Sequence, residues 1–409
     1  MTSSVVYTIV RENLDDPLIQ SQVLDPLRLV AKERRIVLLW LFRLDYLIRG
    51  GQPISALRAS LAAQNIQLVV WPFISGRFPV PVWLLPLVAP QWMLAIGVTL
   101  FRYRVSILHC RSYNAALAGL YLNRVFSRIK LVFDPRSPYP EECVAAGNWP
   151  DGGRSFQFWK RKEQQICRSA RAIVAISRPF ATSLNEGSND PRYVVIPNNY
   201  PSSFLLSEIV DNDIEAGQQV EGSDEEEPPT ICYVGSLGHW NRVEDYLHLF
   251  DQLHTRSEEL IRLLFVVPKQ CRRQVEDALL KYSMPLRECV EMDSVPQTQV
   301  ADRIKGCVAG LQLMSVVDDR LSVKCVEYLA AGVPVIVSEN VRGAAHVVET
   351  AGVGIVLAND ALDIDDVWSF VQDVEHRRDH WRDLCREFAS DTFSPNAVAE
   401  RLDELYDTV

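Results

Sequence analysis

At 409 residues, 48% of them hydrophobic and 23% charged, the chain has the composition of a soluble globular protein with room for two domains. Nine scattered cysteines, with no C-x-x-C pair and no zinc-ligand spacing, exclude a disulfide framework and a zinc module and predict reduced thiols in a reducing compartment. The net charge of -10 divides into +11 over Met1–Phe204 (24 Lys and Arg against 13 Asp and Glu) and -21 beyond it (18 against 39), so the basic half suits a phosphate-bearing ligand or an anionic membrane surface, or is a set of solvated faces.

In chain order, the opening "MTSSVVYTIVRENLDD" lacks a basic flank and a long apolar core, which reads as no secretory signal. Seven short runs follow, rich in β-branched residues: "VVYTIV", "RIVLLWLF", "IQLVVWPF", "VSILHC", "KLVFDP", "AIVAIS" and "YVVIPN". They lack period-two alternation, as strands covered by helices on both faces do, and helical patterns separate them. Among these patterns the uncharged segment Val80–Phe101 approaches the length of a bilayer span. Pro81, Pro86, Pro90 and Gln91 are expected to break it, leaving Trp92–Phe101, too short to cross, as a buried or interfacial helix; the interfacial reading places Trp83 and Trp92 at headgroup depth with Arg77, Arg102 and Arg104 flanking them. An acidic stretch then ends in a double proline, and 205–229 reads as a linker or surface loop. The pattern restarts with "TICYVGSL", "IRLLFVVP", "CVEMDSV", "VAGLQLM", "PVIVSE" and "GIVLA". The chain is therefore α/β, with two doubly wound parallel-sheet domains over 1–204 and 230–394. A helical stripe over 395–407, with Val398, Leu402, Leu405 and Tyr406, is expected to pack back on the first domain.

Ligands of doubly wound sheets sit beyond the carboxyl ends of the strands. The residues there are Arg11, Glu12 and Asn13, His109 and Arg111, Asp134 and Arg136, and the turn Gly235–Gly238. The turn in "YVGSLGHW" lets backbone approach a phosphate or is an ordinary tight turn; it is neither a P-loop nor a G-x-G-x-x-G fingerprint. In "LSVKCVEYLAAGVPVIV", Lys324 and Glu327 share a helix face and Ser322 can cap the helix. A carboxylate there can accept hydrogen bonds from ribose hydroxyls while the ammonium and the helix N-terminus face a diphosphate; the plain alternative is a surface ion pair. Asp134 and Arg136 equally suit an internal ion pair. Of the D-x-D triplets at Asp211 and Asp363, neither ends an apolar strand, so no metal site is expected.

The second half resembles family 4 of the retaining GT-B glycosyltransferases: "YVGSLGHWNRVEDYL" is similar to its glycine turn and following helix, and "VKCVEYLAAGVPVI" to its donor-binding helix and strand. In the first half "VFDPRSPYPEE", "AIVAISRPFATSL" and "VIPNNYPSSF" resemble its fifth strand, sixth strand and interdomain connection. The resemblance implies two facing Rossmann-like domains, a nucleotide-sugar donor on the second and a glycan or lipid-linked acceptor on the first, with no cofactor and no nucleic acid. It implies donor contacts from Gly235, Ser236, Arg242, Asp319, Ser322, Lys324 and Glu327, with Glu327 on the ribose and Asp319 toward the sugar. Asn13, Arg111, Asp134 and Arg136 fall on the acceptor side, and His109, like Asp319, becomes a candidate catalytic residue, the plain alternative for His109 being a satisfied core or rim histidine. The family's Arg and Lys that neutralise the diphosphate are replaced here by Ser236 and Asn241, leaving Arg242, Lys324 or Arg320 to substitute. The implied protein is a metal-independent transferase of surface-polysaccharide assembly, cytoplasmic, either free or at the inner face of the membrane. Its rival is a non-catalytic protein of this fold that binds a nucleotide-sugar or a glycan.

Overall fold

The computed structural model describes residues 4–47, 53–74, 79–185, 187, 189–204, 228–238, 240–257, 260–358 and 363–409. The acidic stretch 205–227, with the triplet at Asp211, and Arg77 lie outside the described residues.

The thirteen apolar runs are strands, and they form two all-parallel sheets. The first contains β1 (Val5–Val10), β2 (Ile36–Arg43), β3 (Ile66–Phe73), β4 (Ile107–Arg111), β5 (Lys130–Asp134), β6 (Ala172–Ala175) and β7 (Tyr193–Val195), in the order 3-2-1-4-5-6-7. Its β-branched runs are buried because helices cover both faces, so alternate side chains serve two cores. Val6, Val10, Val37 and Leu39 pack under the helices Leu85–Tyr103, Ser112–Val125 and Arg154–Ser169. Tyr7, Ile9, Leu38 and Trp40 pack on the other side with Val398, Leu402, Leu405 and Tyr406 of the C-terminal helix Pro395–Thr408. That helix is further held by Arg34, whose buried side chain pairs with Asp403 and with Asp407 at 2.8 Å.

The second sheet contains β8 (Thr230–Val234), β9 (Arg262–Val266), β10 (Val290–Asp293), β11 (Ala309–Gln312), β12 (Val335–Ser338) and β13 (Gly354–Leu357), in the order 10-9-8-11-12-13. In each sheet the winding reverses beside the first strand, between β1 and β4 and between β8 and β11, which is where an open α/β sheet receives its ligand.

Two boundaries differ from the sequence reading. The first compact unit runs to Ile196, interrupted by Ser177–Phe180, and regains the chain at Val398–Val409. The changeover precedes 204 because Tyr200 and Phe204 belong to the second unit's core, and the Tyr200 amide donates to the Phe393 carbonyl at 3.1 Å. The apolar segment also forms one helix, Leu85–Tyr103, rather than breaking at its prolines. Pro86 occupies the first turn, where no amide hydrogen is needed, and Pro90 costs the helix a single hydrogen bond.

Candidate functional site

In the second domain the site is assembled where β8 and β11 part. The helix Val323–Ala330 starts there because the Ser322 hydroxyl caps it, accepting from the Cys325 amide at 3.2 Å and donating to Gln312 at 2.7 Å. Tyr328 fastens the helix to the sheet. Its hydroxyl accepts from the Val234 amide at 2.8 Å and donates to the Leu311 carbonyl at 3.2 Å. Its ring lies flat on β11 at Gly310, where a Cβ would come within 2.4 Å of the ring. Neither Tyr328 nor Gly310 stood out in the sequence, since a buried tyrosine and a strand glycine carry no motif.

With the helix so placed, the Lys324 side chain runs across Gly235. This glycine has φ +115°, and a Cβ on it would stand 2.9 Å from Lys324 Cε. The space that the sequence reading reserved for a phosphate beside Gly235 is thus taken by the lysine stem. The ammonium lies 5.7 Å from the Tyr233 ring, has no carboxylate at ion-pair distance among the described residues, and is held below the usual lysine range by burial, partly offset by Glu327. One turn on, Glu327 is buried and accepts from the Gln297 amide. Burial pushes its carboxyl up to about 7 against the pull of Lys324 and Gln297.

The other donor-side candidates divide. Arg320 is tied to Asp318 by two bonds of 2.8 Å, so its charge is matched. Arg242 is exposed and lines a different cavity, of about 410 Å³, with Gly238, Asn241, Asp277 and Lys281. Asp319 pairs with Arg342 at 3.4 Å. The Ser236 carbonyl accepts from the Tyr233 hydroxyl at 2.7 Å. Of the three cations considered for the diphosphate, Lys324 is the one both half-buried and with no carboxylate at ion-pair distance among the described residues.

In the first domain a cavity of about 380 Å³ opens beyond β1, β4 and β5. Arg11, Glu12, Ser112, Asn114, Arg136, Tyr139 and Glu142 are among its lining residues. Arg11, Ser112 and Arg136 each follow one of these adjacent strands with φ +78°, +70° and +63°. Three non-glycine residues in the left-handed region, at about 1–3 kcal/mol each, mark the rim as shaped for something other than stability. Arg136 donates to Gln22 at 2.9 Å and lies 3.7 Å from Asp134. Arg111 is buried beneath, bonded to Glu12 at 2.9 Å, and among the described residues its Nη1 has no hydrogen-bond partner, nor has the Oδ1 of buried Asn114. Asn13 is exposed and is not among these lining residues. Asn114, Tyr139 and Glu142 were missed because they reach the rim from helices after the strands, a register that sequence spacing does not reveal.

His109 takes the plainer of its two readings. It is 0% exposed, stacked on Tyr7 and held by the C-terminal helix. Its Nδ1 accepts from the Tyr406 hydroxyl at 2.9 Å, and its Nε2 faces Asp134 at 3.4 Å. Burial keeps the imidazole neutral, and Arg136, His109 and Arg111 hold Asp134 ionised despite its burial. A ring so enclosed packs as a core residue. Asp363, of the second D-x-D triplet, caps the helix Ile364–His376 through the amides of Asp365 and Asp366. Among the described residues no group of three His, Cys, Asp or Glu is assembled to hold a metal ion.

The chain is similar in structure to the glycosyltransferase of Rickettsia africae (14% identity, TM-score 0.69, 100% of this chain and 98% of that one). It also resembles sucrose-phosphate synthase of Thermosynechococcus elongatus (16%, 0.67, 99% and 98%) and HepE of Anabaena in complex with UDP-glucose (13%, 0.62, 100% of both). No curated protein matches it by sequence. Residues 49–200 match the profile of Glycosyltransferase Family 4 and residues 215–387 that of Glycosyl transferases group 1. With these two profiles side by side on two Rossmann-like parallel sheets, the chain belongs to the GT-B-fold glycosyltransferase superfamily.

Proposed function

We propose that this protein is a retaining glycosyltransferase that holds a nucleoside diphosphate sugar on its second domain and passes the sugar to a hydroxyl of a glycan or lipid-linked acceptor held by its first. The observation that carries the reading is Lys324: a half-buried ammonium with no carboxylate at ion-pair distance among the described residues, at the N-terminus of a capped helix whose next turn presents buried Glu327. A half-buried cation of this kind is stabilised by an anion, and a diphosphate supplies one. Glu327 then accepts hydrogen bonds from the ribose hydroxyls in place of the Gln297 amide.

As the bond from the anomeric carbon to the donor phosphate lengthens, negative charge builds on the departing diphosphate. Lys324 and the helix N-terminus stabilise that charge without a metal held by the protein. The departing phosphate oxygen takes the acceptor proton on the face it leaves, which gives retention. In the first domain, Glu12 and Glu142 offer acceptors and Arg11 and Arg136 donors, a lining suited to a hydroxyl-rich acceptor. HepE was crystallised with UDP and with UDP-glucose, which makes a uridine diphosphate sugar the first donor to try. Nine free thiols, eight of them buried, accord with a cytoplasmic enzyme of surface-polysaccharide assembly.

The test is a panel of nucleotide-sugars scored by thermal stabilisation, since a ligand at 100 times its dissociation constant adds about 2.7 kcal/mol. The stabilising donor is then assayed for hydrolysis and transfer, with and without EDTA. Activity that survives the chelator is expected. No stabilisation by any donor overturns the reading, and binding without turnover hands it to the non-catalytic alternative.

A further inference from the structure

The helix Leu85–Tyr103 is built into the first domain by one face only. Val88, Trp92, Ala95, Ile96 and Leu100 are buried, and the Thr99 hydroxyl is satisfied by the Ala95 carbonyl at 2.7 Å. The opposite face has no cover among the described residues. Trp83 is 76% exposed, Leu87 69%, Leu94 58%, Val98 44% and Phe101 79%, and the other exposed positions between them are Pro86 and Pro90. This stripe recurs every three or four residues, and no polar side chain interrupts it. Gln91, which would have done so, is turned onto the backbone of Ile74, accepting from its amide at 3.1 Å and donating to its carbonyl at 3.2 Å. The tie brings Ile74, itself 70% exposed, beside the stripe.

The surrounding charge has one sign. From Pro79 to Phe133 the chain has six Lys and Arg and no Asp or Glu. Arg102 and Arg104 close the helix, both exposed. Leu122 and Phe126 pack beside Gly97, which sets exposed Arg124, Val125 and Arg128 next to the same end. Arg35 and Arg102 flank Tyr103, their guanidinium carbons 5.6 and 5.7 Å from its ring.

We propose that this face docks the protein on an anionic lipid bilayer, with the helix lying in the plane of the interface. By length and composition Val82–Tyr103 is apolar enough to cross a membrane, but crossing would extract the buried face from the core and unfold the first domain. Lying flat keeps that core and places the exposed apolar side chains among acyl chains with the arginines at headgroup level. A second copy of the chain is the poorer occupant, because two-fold pairing would bring uncompensated arginines against each other. The sequence reading placed Trp92 at headgroup depth beside Trp83; Trp92 is sealed in the core against Phe73, and Trp83 alone of the two is presented.

The proposal stands apart from the proposed reaction, since its test needs neither donor nor acceptor. The whole protein is sedimented with phosphatidylcholine vesicles and with vesicles containing phosphatidylglycerol, at 50 and 500 mM salt. Binding to the anionic vesicles is expected to exceed that to the neutral ones at least tenfold at low salt and to fall at least tenfold at high salt. Leu87→Ser with Phe101→Ser, both exposed and so outside the core, should lose at least tenfold in binding at an unchanged melting temperature. Brominated lipids should quench the tryptophan emission of the parent, and Trp83→Phe should bind as well but lose the quenching. Failure to bind anionic vesicles at low salt overturns the proposal. So does salt-insensitive binding, or a self-associating parent that the double variant turns monomeric without loss of vesicle binding.

Discussion

Replacing Glu327 with glutamine separates what the carboxylate does for binding from what it costs the fold. Burial raises its pKa from an ordinary 4.5 to about 7, even with Lys324 and the Gln297 amide favouring the charge. Between those values the folded state holds more protons than the unfolded one, so this group's contribution to stability declines as pH rises from 4.5 and levels off above 7. The full difference is about 3 kcal/mol, of which about 2 kcal/mol falls between pH 5.5 and 8. Glu327→Gln keeps the shape and leaves the Gln297 amide an oxygen to bond. The variant should therefore be the more stable protein at pH 8, with the gap narrowing by about 2 kcal/mol at pH 5.5. Donor binding should move the other way, weakening by about 1.5–3 kcal/mol, the scale of a hydrogen bond to a charged group. Urea unfolding without ligand at the two pH values gives the first quantity, and calorimetric titration with the most stabilising nucleotide-sugar at pH 8 gives the second. A variant less stable than its parent at pH 8, or one that binds the donor as tightly, refutes the reasoning.

Lys324→Met should lower turnover by about 10²–10³ while leaving binding of the bare nucleoside near that of the parent, because the lost charge faces the departing diphosphate; steady-state rates beside nucleoside titrations show the split. Gly235→Ala meets both a φ of +115° and the Lys324 stem at 2.9 Å. It should cost about 1–3 kcal/mol in thermal unfolding and reproduce part of the Lys324 defect in turnover. Tyr406→Phe leaves His109 Nδ1 buried without its donor. It should destabilise the protein by about 1–3 kcal/mol by urea unfolding, with unchanged nucleotide-sugar affinity, whereas a loss of affinity at full stability would return His109 to the site.

The sites differ in how far they could be read beforehand. Ser322, Lys324 and Glu327 were legible because a helix imposes its own geometry: a cap at one end and a pair three residues apart share a face whatever surrounds them. Gln297, which occupies the Glu327 carboxylate, comes from 30 residues away, and Tyr328 and Gly310 act only because a ring lies flat on a strand. His109 shows the limit most plainly. The end of a strand predicts exposure to a ligand, but a helix from the far end of the chain covers that position and fills it with Tyr406.

What the sequence determined by itself is the two-sheet α/β fold, because unbroken β-branched runs between helical patterns have few ways to bury both faces. It also determined the charge division and the Ser322 cap of the helix Val323–Ala330, both local properties of the chain. Only the tertiary structure decided that Gly235 yields to a lysine stem, and that the apolar segment Val80–Phe101 divides into a buried and an open face. These outcomes depend on which distant surface arrives at each side chain, and burial and pairing are settled between segments rather than within them.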